Sequence, residues 1–295
     1  MQRVIYTILS YVLFMLMAEI AWSNEKLFQD PENFDAAWPP LMIEVSIPSH
    51  GEMLTGTFYA AAGKGPHPTI VTLHAFPGYE KNLDLAQSLR RIGFNVLYFD
   101  YRGIWGGPSD FSVASGYEDA ENAVAFVADA ENAKELRVDR NRIILLGHSY
   151  GAVAALDVGA TNANVRCVVS LAPEDMTLLV GTEEDQQGLA RYTDNLRVVS
   201  GYSGQNLIDD LLANRDKWAM TTTIESLGDK PYLLIGGALD SNFDSSEVAR
   251  VLEAGESAGA SAITATVISD ADHSFSAKRI ELTVTVADWL ERNCH

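Results

Sequence analysis

Cysteine is scarce in this chain: of 295 residues only Cys167 and Cys294 carry sulfur that could form a thiol or a bridge. Two cysteines this far apart make neither a zinc-binding pattern nor a haem attachment nor the disulfide framework of a small secreted domain. Their spacing gives no reason to pair them. Cys167, inside the apolar run Val165 to Leu171, reads as a buried free thiol. Basic residues are also few, 21 Lys plus Arg against 40 Asp plus Glu, for a formal charge of -19. Such a surface repels polyanions, which argues against nucleic acid and anionic membranes as partners. Long apolar runs are missing but for one. Val4 to Ala18 follows the single positive charge of Arg3 and ends at Glu19, short of the about 20 residues that a membrane span needs. Ala21 and Ser23 supply small residues where a signal peptidase reads, so residues 1–23 are expected to be a signal peptide. The remainder, 24–295, is expected to be one domain, secreted or periplasmic, with no stable membrane partner once the signal is removed.

What is present is a core-forming chain, 47% apolar, with no internal repeat or low-complexity tract. Met42 to Ile47 alternates in strand fashion, stops at Pro48-Ser49-His50-Gly51, and is answered by Leu54 to Ala60, which predicts a hairpin. Six short β-branched runs follow: 69–73, 95–99, 143–146, 167–171, 232–235 and 263–268. Amphipathic stretches lie between them at 83–92, 117–130, 152–159 and 245–258, with a last one at 281–292. Strand and helix in alternation mean crossover units and a mostly parallel sheet with helices on both faces. The stretch 174–230 breaks the rhythm with helical patterns and no convincing strand. Inserted there, it would cover the carboxyl ends of the strands, where such sheets bind ligands, and it is expected to act as a lid.

Gly147-His148-Ser149-Tyr150-Gly151 follows the run Ile143 to Leu146 and precedes the helix-compatible Ala152 to Leu156. Strand, sharp turn and helix form the setting of a nucleophile elbow, and the two glycines leave room for its strained turn. A serine hydroxyl needs a base to take its proton and a third group to orient that base. Asp240 sits just past the strand run at Tyr232 to Ile235, and His273 just past the run at Ile263 to Ile268. The order Ser, Asp, His then suits Ser149 as nucleophile, His273 as base and Asp240 as the orienting acid. Asp244, Asp270 and Asp272 are rival acids. His148 reads as packed beneath the elbow. Two backbone N–H groups would stabilise the oxyanion: that of Tyr150, next to the nucleophile, and that of Phe76 in the loop His74 to Gly78. His74 reads as a brace for this donor loop.

These residues carry a resemblance. The loop from His74 to Gly78, Phe99-Asp100-Tyr101-Arg102-Gly103, Gly147 to Gly151, Gly237 to Asp240 and Asp272-His273 resemble an α/β-hydrolase of the esterase and serine-peptidase type, over about Met42 to Trp289. The resemblance implies an eight-stranded, mostly parallel sheet with a small helical lid, a Ser-His-Asp triad, and no cofactor or metal. One departure is Ala75, where the family's oxyanion loop usually has glycine.

Three activities are compatible with this reading. The first is a hydrolase of small-molecule carboxylic esters, acting through an acyl-enzyme. The second is a serine peptidase or amidase with the same chemistry. The third is a hydrolase-like binding protein without turnover. Esters rank first because only a short polar stretch separates Ser23 from the first strand, which leaves no large domain to hold a peptide. Glu183-Glu184-Asp185 in the expected lid is the counterargument, since it could hold a substrate amine.

Overall fold

Alternation of apolar side chains along each strand decides how the sheet is covered. The computed structural model describes residues 26–31 and 33–294, so the expected signal peptide at 1–23 lies outside the described residues. Strands β1 (Leu41–Ser49) and β2 (Glu52–Ala60) pair antiparallel around His50 and Gly51, both at positive φ. Strands β3 (His67–Leu73), β4 (Asn95–Phe99), β5 (Val138–His148), β6 (Val165–Leu171), β7 (Tyr232–Gly237) and β8 (Ile263–Ile268) run parallel to one another. The sheet order is β1-β2-β4-β3-β5-β6-β7-β8, so the eight strands and their mostly parallel sense agree with expectation.

Neighbouring residues of β5 face opposite cores. Ile143 and Leu145 join one apolar cluster with Val124 and Val127 of helix α2 (Val113–Ala128) and Leu156 of a helix that follows the elbow. Ile144 and Leu146 join the other, with Leu85 and Leu89 of helix α1 (Leu83–Arg91). The β-strand period of two thus splits one hydrophobic run between two layers of helices.

Helix α2 starts four residues before the stretch read from the sequence. Ser112 Oγ accepts the N–H of Ser115, and Ser115 Oγ accepts that of Ser112, a reciprocal cap that fixes the start. The same stretch then breaks at Asp129, whose extended backbone ends α2. Its carboxylate caps α3 (Ala130–Glu135) by accepting the N–H groups of Glu131 and Asn132. Beyond the elbow, α4 (Tyr150–Thr161) packs against β5 and β6.

The stretch 174–230 is helical, as expected. It holds α5 (Glu183–Asp194) and α6 (Gly204–Ala213), then the short turns α7 (Arg215–Trp218) and α8 (Met220–Thr223). Helix α9 (Ser245–Ser257) leads into β8, and α10 (Arg279–Asn293) closes the second layer with Leu282, Val286, Trp289 and Leu290 in the cluster beside α1.

The cysteines correct the sequence reading: Cys167 is not a free thiol but is bonded to Cys294, with 5.9 Å between their Cα atoms. Both are buried in the α1–α10 layer. The side chain of Cys167 leaves β6 on the face that α10 covers, and Cys294 caps that helix. A separation of 127 residues hides this meeting, because the sheet topology and not the local sequence creates it. Among the described residues no helix is long and apolar enough to cross a membrane.

Candidate active site

Ser149 occupies the turn between β5 and α4 with φ 56° and ψ −124°, a left-handed region that costs a serine energy and is kept only where its surroundings dictate it. The turn can be this tight because of its glycines. A Cβ on Gly147 would lie 1.9 Å from the carbonyl oxygen of Gly151. The N–H of Ser149 donates to the carbonyl of Leu171 at the end of β6, 2.9 Å away, which ties the elbow to the neighbouring strand. Tyr150 is the first residue of α4, so its N–H has no acceptor within the helix and points with the positive end of the dipole.

Asp240 follows β7 and His273 follows β8, and the two side chains meet. His273 Nδ1 donates to Asp240 Oδ2 at 2.9 Å. The other carboxylate oxygen accepts the N–H groups of Asn242 and Phe243 at 2.8 and 3.2 Å, so Asp240, with its side chain fully buried, has little freedom to turn. The rival Asp244 does not reach His273. It is exposed and caps α9, accepting the N–H groups of Ser246 and Glu247. Burial pushes the His273 pKa down, but the Asp240 hydrogen bond and the charges of Asp240, Glu174 and Asp272 outweigh it and hold the group above the usual histidine range.

The His273 loop is clamped from two sides. The carbonyl of His273 accepts from His148 Nε2 at 2.8 Å, which places His148 under the elbow as the sequence suggested. Burial holds His148 neutral, with its pKa lowered to about 4. Arg279 at the start of α10 donates to the carbonyl of Ser274 and to Asn82 and Asp84, anchoring the loop to the start of α1.

The loop from His74 to Gly78 is braced by its own histidine. His74 Nδ1 donates to the carbonyl of Ala75 at 2.7 Å, and its Nε2 accepts the N–H of Tyr101 at 3.4 Å. One neutral tautomer serves both bonds, in keeping with a pKa that burial lowers to about 4. Gly78, at φ 88°, lies under this ring, and a Cβ there would come within 2.6 Å of Nδ1. Ala75 is not at positive φ, which explains how alanine replaces the usual glycine without strain. The ring of Phe76 stacks on Phe111 and lines the cavity.

The serine hydroxyl is where the structure departs from the sequence reading. Ser149 Oγ does not donate to His273; it donates to Glu174 Oε2 at 3.2 Å. Glu174 was read only as the first residue of the covering stretch. A signal for it existed, because Glu174 stands three residues past the end of β6, the same placement that singled out Asp240 past β7. Burial raises its pKa and nearby Asp240 adds to that, against the opposing pull of His273 and the Ser149 hydrogen bond.

Above the strand ends lies a cavity of about 670 Å³. Phe76, Glu174 and Asn242 form its lower wall, and Glu184, Leu189 and Tyr192 of α5 its upper one. Among the described residues no group of His, Cys, Asp or Glu has the arrangement of a metal site.

Comparison with known proteins agrees with this architecture. Two curated Escherichia coli proteins, each named as an uncharacterized 31.7 kDa protein of the traX-finO intergenic region, are 29% identical over 143 residues. The chain spans about half the length of these relatives, 49%, and the match covers 48% of the chain itself. Among solved structures, the Pyrococcus furiosus esterase Pf2001 superposes with a TM-score of 0.64 at 19% identity, over 90% of this chain and 100% of that one. The acylaminoacyl peptidase of Pyrococcus horikoshii gives 0.65 at 16% identity, over 86% of this chain and 42% of that one. Est1E from Butyrivibrio proteoclasticus gives 0.65 at 17%, over 85% and 98%. At such identities the likeness speaks for the fold. The model of the alpha/beta hydrolase family matches residues 70–286, from β3 to α10 and through every loop of the site. With most of its length matched and the sheet order described above, this chain belongs to the alpha/beta hydrolase family.

Proposed function

We propose that the protein is a serine hydrolase that cleaves small carboxylic esters through an acyl-enzyme. The observation that carries this reading is Ser149, held at φ 56° on a strained turn at the same rim as the hydrogen-bonded pair Asp240 and His273. Rotation about its Cα–Cβ bond takes the Ser149 hydroxyl from Glu174 towards the unoccupied ring nitrogen of His273. His273 then removes the proton as Ser149 Oγ attacks the ester carbonyl, and returns it to the departing alcohol. Water, deprotonated by the same ring, releases the acid. Asp240 is the positioning residue: its bond to Nδ1 leaves Nε2 as the free base and favours the imidazolium formed in each step. The N–H groups of Tyr150 and Phe76 serve the oxyanion.

A fluorophosphonate probe tests the core of this reading. Rapid labelling confined to Ser149, together with turnover of simple esters, is the expected result; an unlabelled Ser149 would return the protein to the class of binding proteins with a hydrolase fold. Amide cleavage is the second reading, and the observation in its favour is the placement of Glu184 and Asp185 on the cavity wall. Parallel assays on an ester and the matching anilide rank the two.

Export belongs to the same proposal. It is supported by the apolar segment behind Arg3 and by the Cys167–Cys294 bond, a link that persists in oxidising compartments. Mature protein is expected to begin at Asn24, which N-terminal sequencing of the exported material reads directly.

A further inference from the structure

Glu174 is an unusual neighbour for a nucleophile. The Glu174 carboxyl lies 3.2 Å from Ser149 Oγ, close to the place where an acyl group becomes a negatively charged tetrahedral intermediate. When the carboxyl is ionised, its charge repels the one that forms on a neutral acyl group. The charge set against it is that of His273 when protonated; among the described residues no lysine or arginine forms an ion pair with Glu174, although Arg191 shares the cavity wall. A site that keeps a carboxyl without a lysine or arginine partner beside its reacting atom suits a substrate that brings the cation itself.

Two further features say where that cation would sit. Glu174, which bonds Ser149 Oγ, walls the cavity, whereas neither Ser149 nor any residue of the His273 loop does. The leaving alcohol must stay within reach of His273, so the cavity takes the acyl side. Its other charged groups are Glu184 and Asp185 against the single guanidinium of Arg191, which leaves it anionic.

We infer that Glu174 is the receptor for the α-ammonium of an aminoacyl substrate, so that the favoured esters are those of amino acids with a free amine. The inference rests on the reading of Ser149 as nucleophile. An ammonium on the α-carbon is two bonds from the carbonyl carbon that Ser149 Oγ attacks, which brings it within reach of the Glu174 carboxylate. When it binds, its N–H replaces the Ser149 hydroxyl as donor to Glu174, and the released hydroxyl turns to His273. The chemistry is otherwise that of any ester hydrolysis. The bond from Oγ to the acyl carbon forms, the bond to the alcohol oxygen breaks, and the proton passes from Ser149 through His273 to the alcohol. Glu174 neither gains nor loses a proton.

The test compares phenylalanine ethyl ester with ethyl 3-phenylpropionate, which differ only by the α-amino group, on the full chain and on Glu174→Gln. Near pH 7, below the ordinary range of an α-amino group, the wild type should prefer the amino ester in kcat/KM. Glu174→Gln should reduce that preference about 10- to 100-fold, the worth of a hydrogen bond to a charged group. In the wild type alone, the preference should also fall once the amine loses its proton above about pH 8. An equal ratio of the two esters in both proteins, or a wild-type preference for the phenylpropionate that no pH alters, overturns the assignment. Fluorophosphonate labelling separates the two levels of failure. If Ser149 labels and both esters turn over without discrimination, only the role of Glu174 falls; if Ser149 stays unlabelled and neither ester is cleaved, the serine mechanism falls and this inference with it.

Discussion

At the strand ends, the carboxylate of Asp240 is fully buried and accepts three hydrogen bonds, two from its own loop and one from His273 on the next. Across the cavity, the acidic residues at the start of α5 are exposed and bond locally. Asp185 closes a capping box with Thr182, and Glu183 accepts from Gln187 one turn along. Below, each polar group links one strand-end loop to another, so moving one moves several. Above, Glu183 and Asp185 stabilise only their own helix, and Asp194 at its end ties it to α6 by accepting the N–H of Gly204 at 2.7 Å. The lower wall holds its groups through links between loops, whereas side chains at the start of α5 can change without disturbing that order.

Substitutions sharpen this contrast by the size of their effects. Ser149→Ala or His273→Ala is expected to lower turnover by up to about 10⁶-fold, and the double variant by little more, because the two act as one unit. Steady-state kinetics on the three proteins shows this, and additive losses would contradict it. Asp240→Asn should cost about 10⁴-fold by favouring the wrong histidine tautomer. Asp244→Asn, which touches only the cap of α9, should leave turnover nearly intact. Should the two aspartates exchange these outcomes, the acid has been misassigned.

The next effect is on stability. Replacing both Cys167 and Cys294 by alanine should destabilise the fold by about 2–5 kcal/mol, read as a lower urea midpoint, while ester turnover in mild buffer persists. The pH profile gives a smaller change. As the proposed base, His273 must be neutral, and its pKa is raised, so kcat/KM should climb with pH through a midpoint above the ordinary histidine value of about 6.5. Glu174→Gln removes one of the charges that raise it, so the midpoint should move to lower pH. Smallest of all should be Glu184→Gln on the upper wall, a change of a few-fold at most, as expected of an exposed charge. A loss there as large as that of Asp240→Asn would erase the distinction between the two walls.

How much of this was legible in the sequence follows the same division. Strand runs, the Gly147 to Gly151 turn, and the placement of Asp240 and His273 past strand ends are encoded locally, in periods of two and in glycines at fixed positions. The early start of α2 was also local, but its Ser112–Ser115 cap uses a serine where a Glu or Gln would have advertised it. Contacts made by topology were not legible. Cys167 and Cys294 meet because β6 and α10 share a layer, and Ser149 meets Glu174 because β5 and β6 are neighbours. Nothing in the spacing of either pair records that adjacency. The reading that Cys167 is a free thiol failed for this reason, and Glu174 was passed over although its own placement resembles that of Asp240.

The Cys167–Cys294 bond encloses the helices above the cavity, Asp240 and His273, but leaves Ser149 outside its ring. A protease that nicks the exposed surface of α5 would therefore not separate the halves of the molecule. The piece bearing Ser149 and the piece bearing His273 would stay joined through the α1–α10 layer, migrating as one species until a reductant is added. A nicked molecule of this kind keeps its lower wall tethered as a two-chain form.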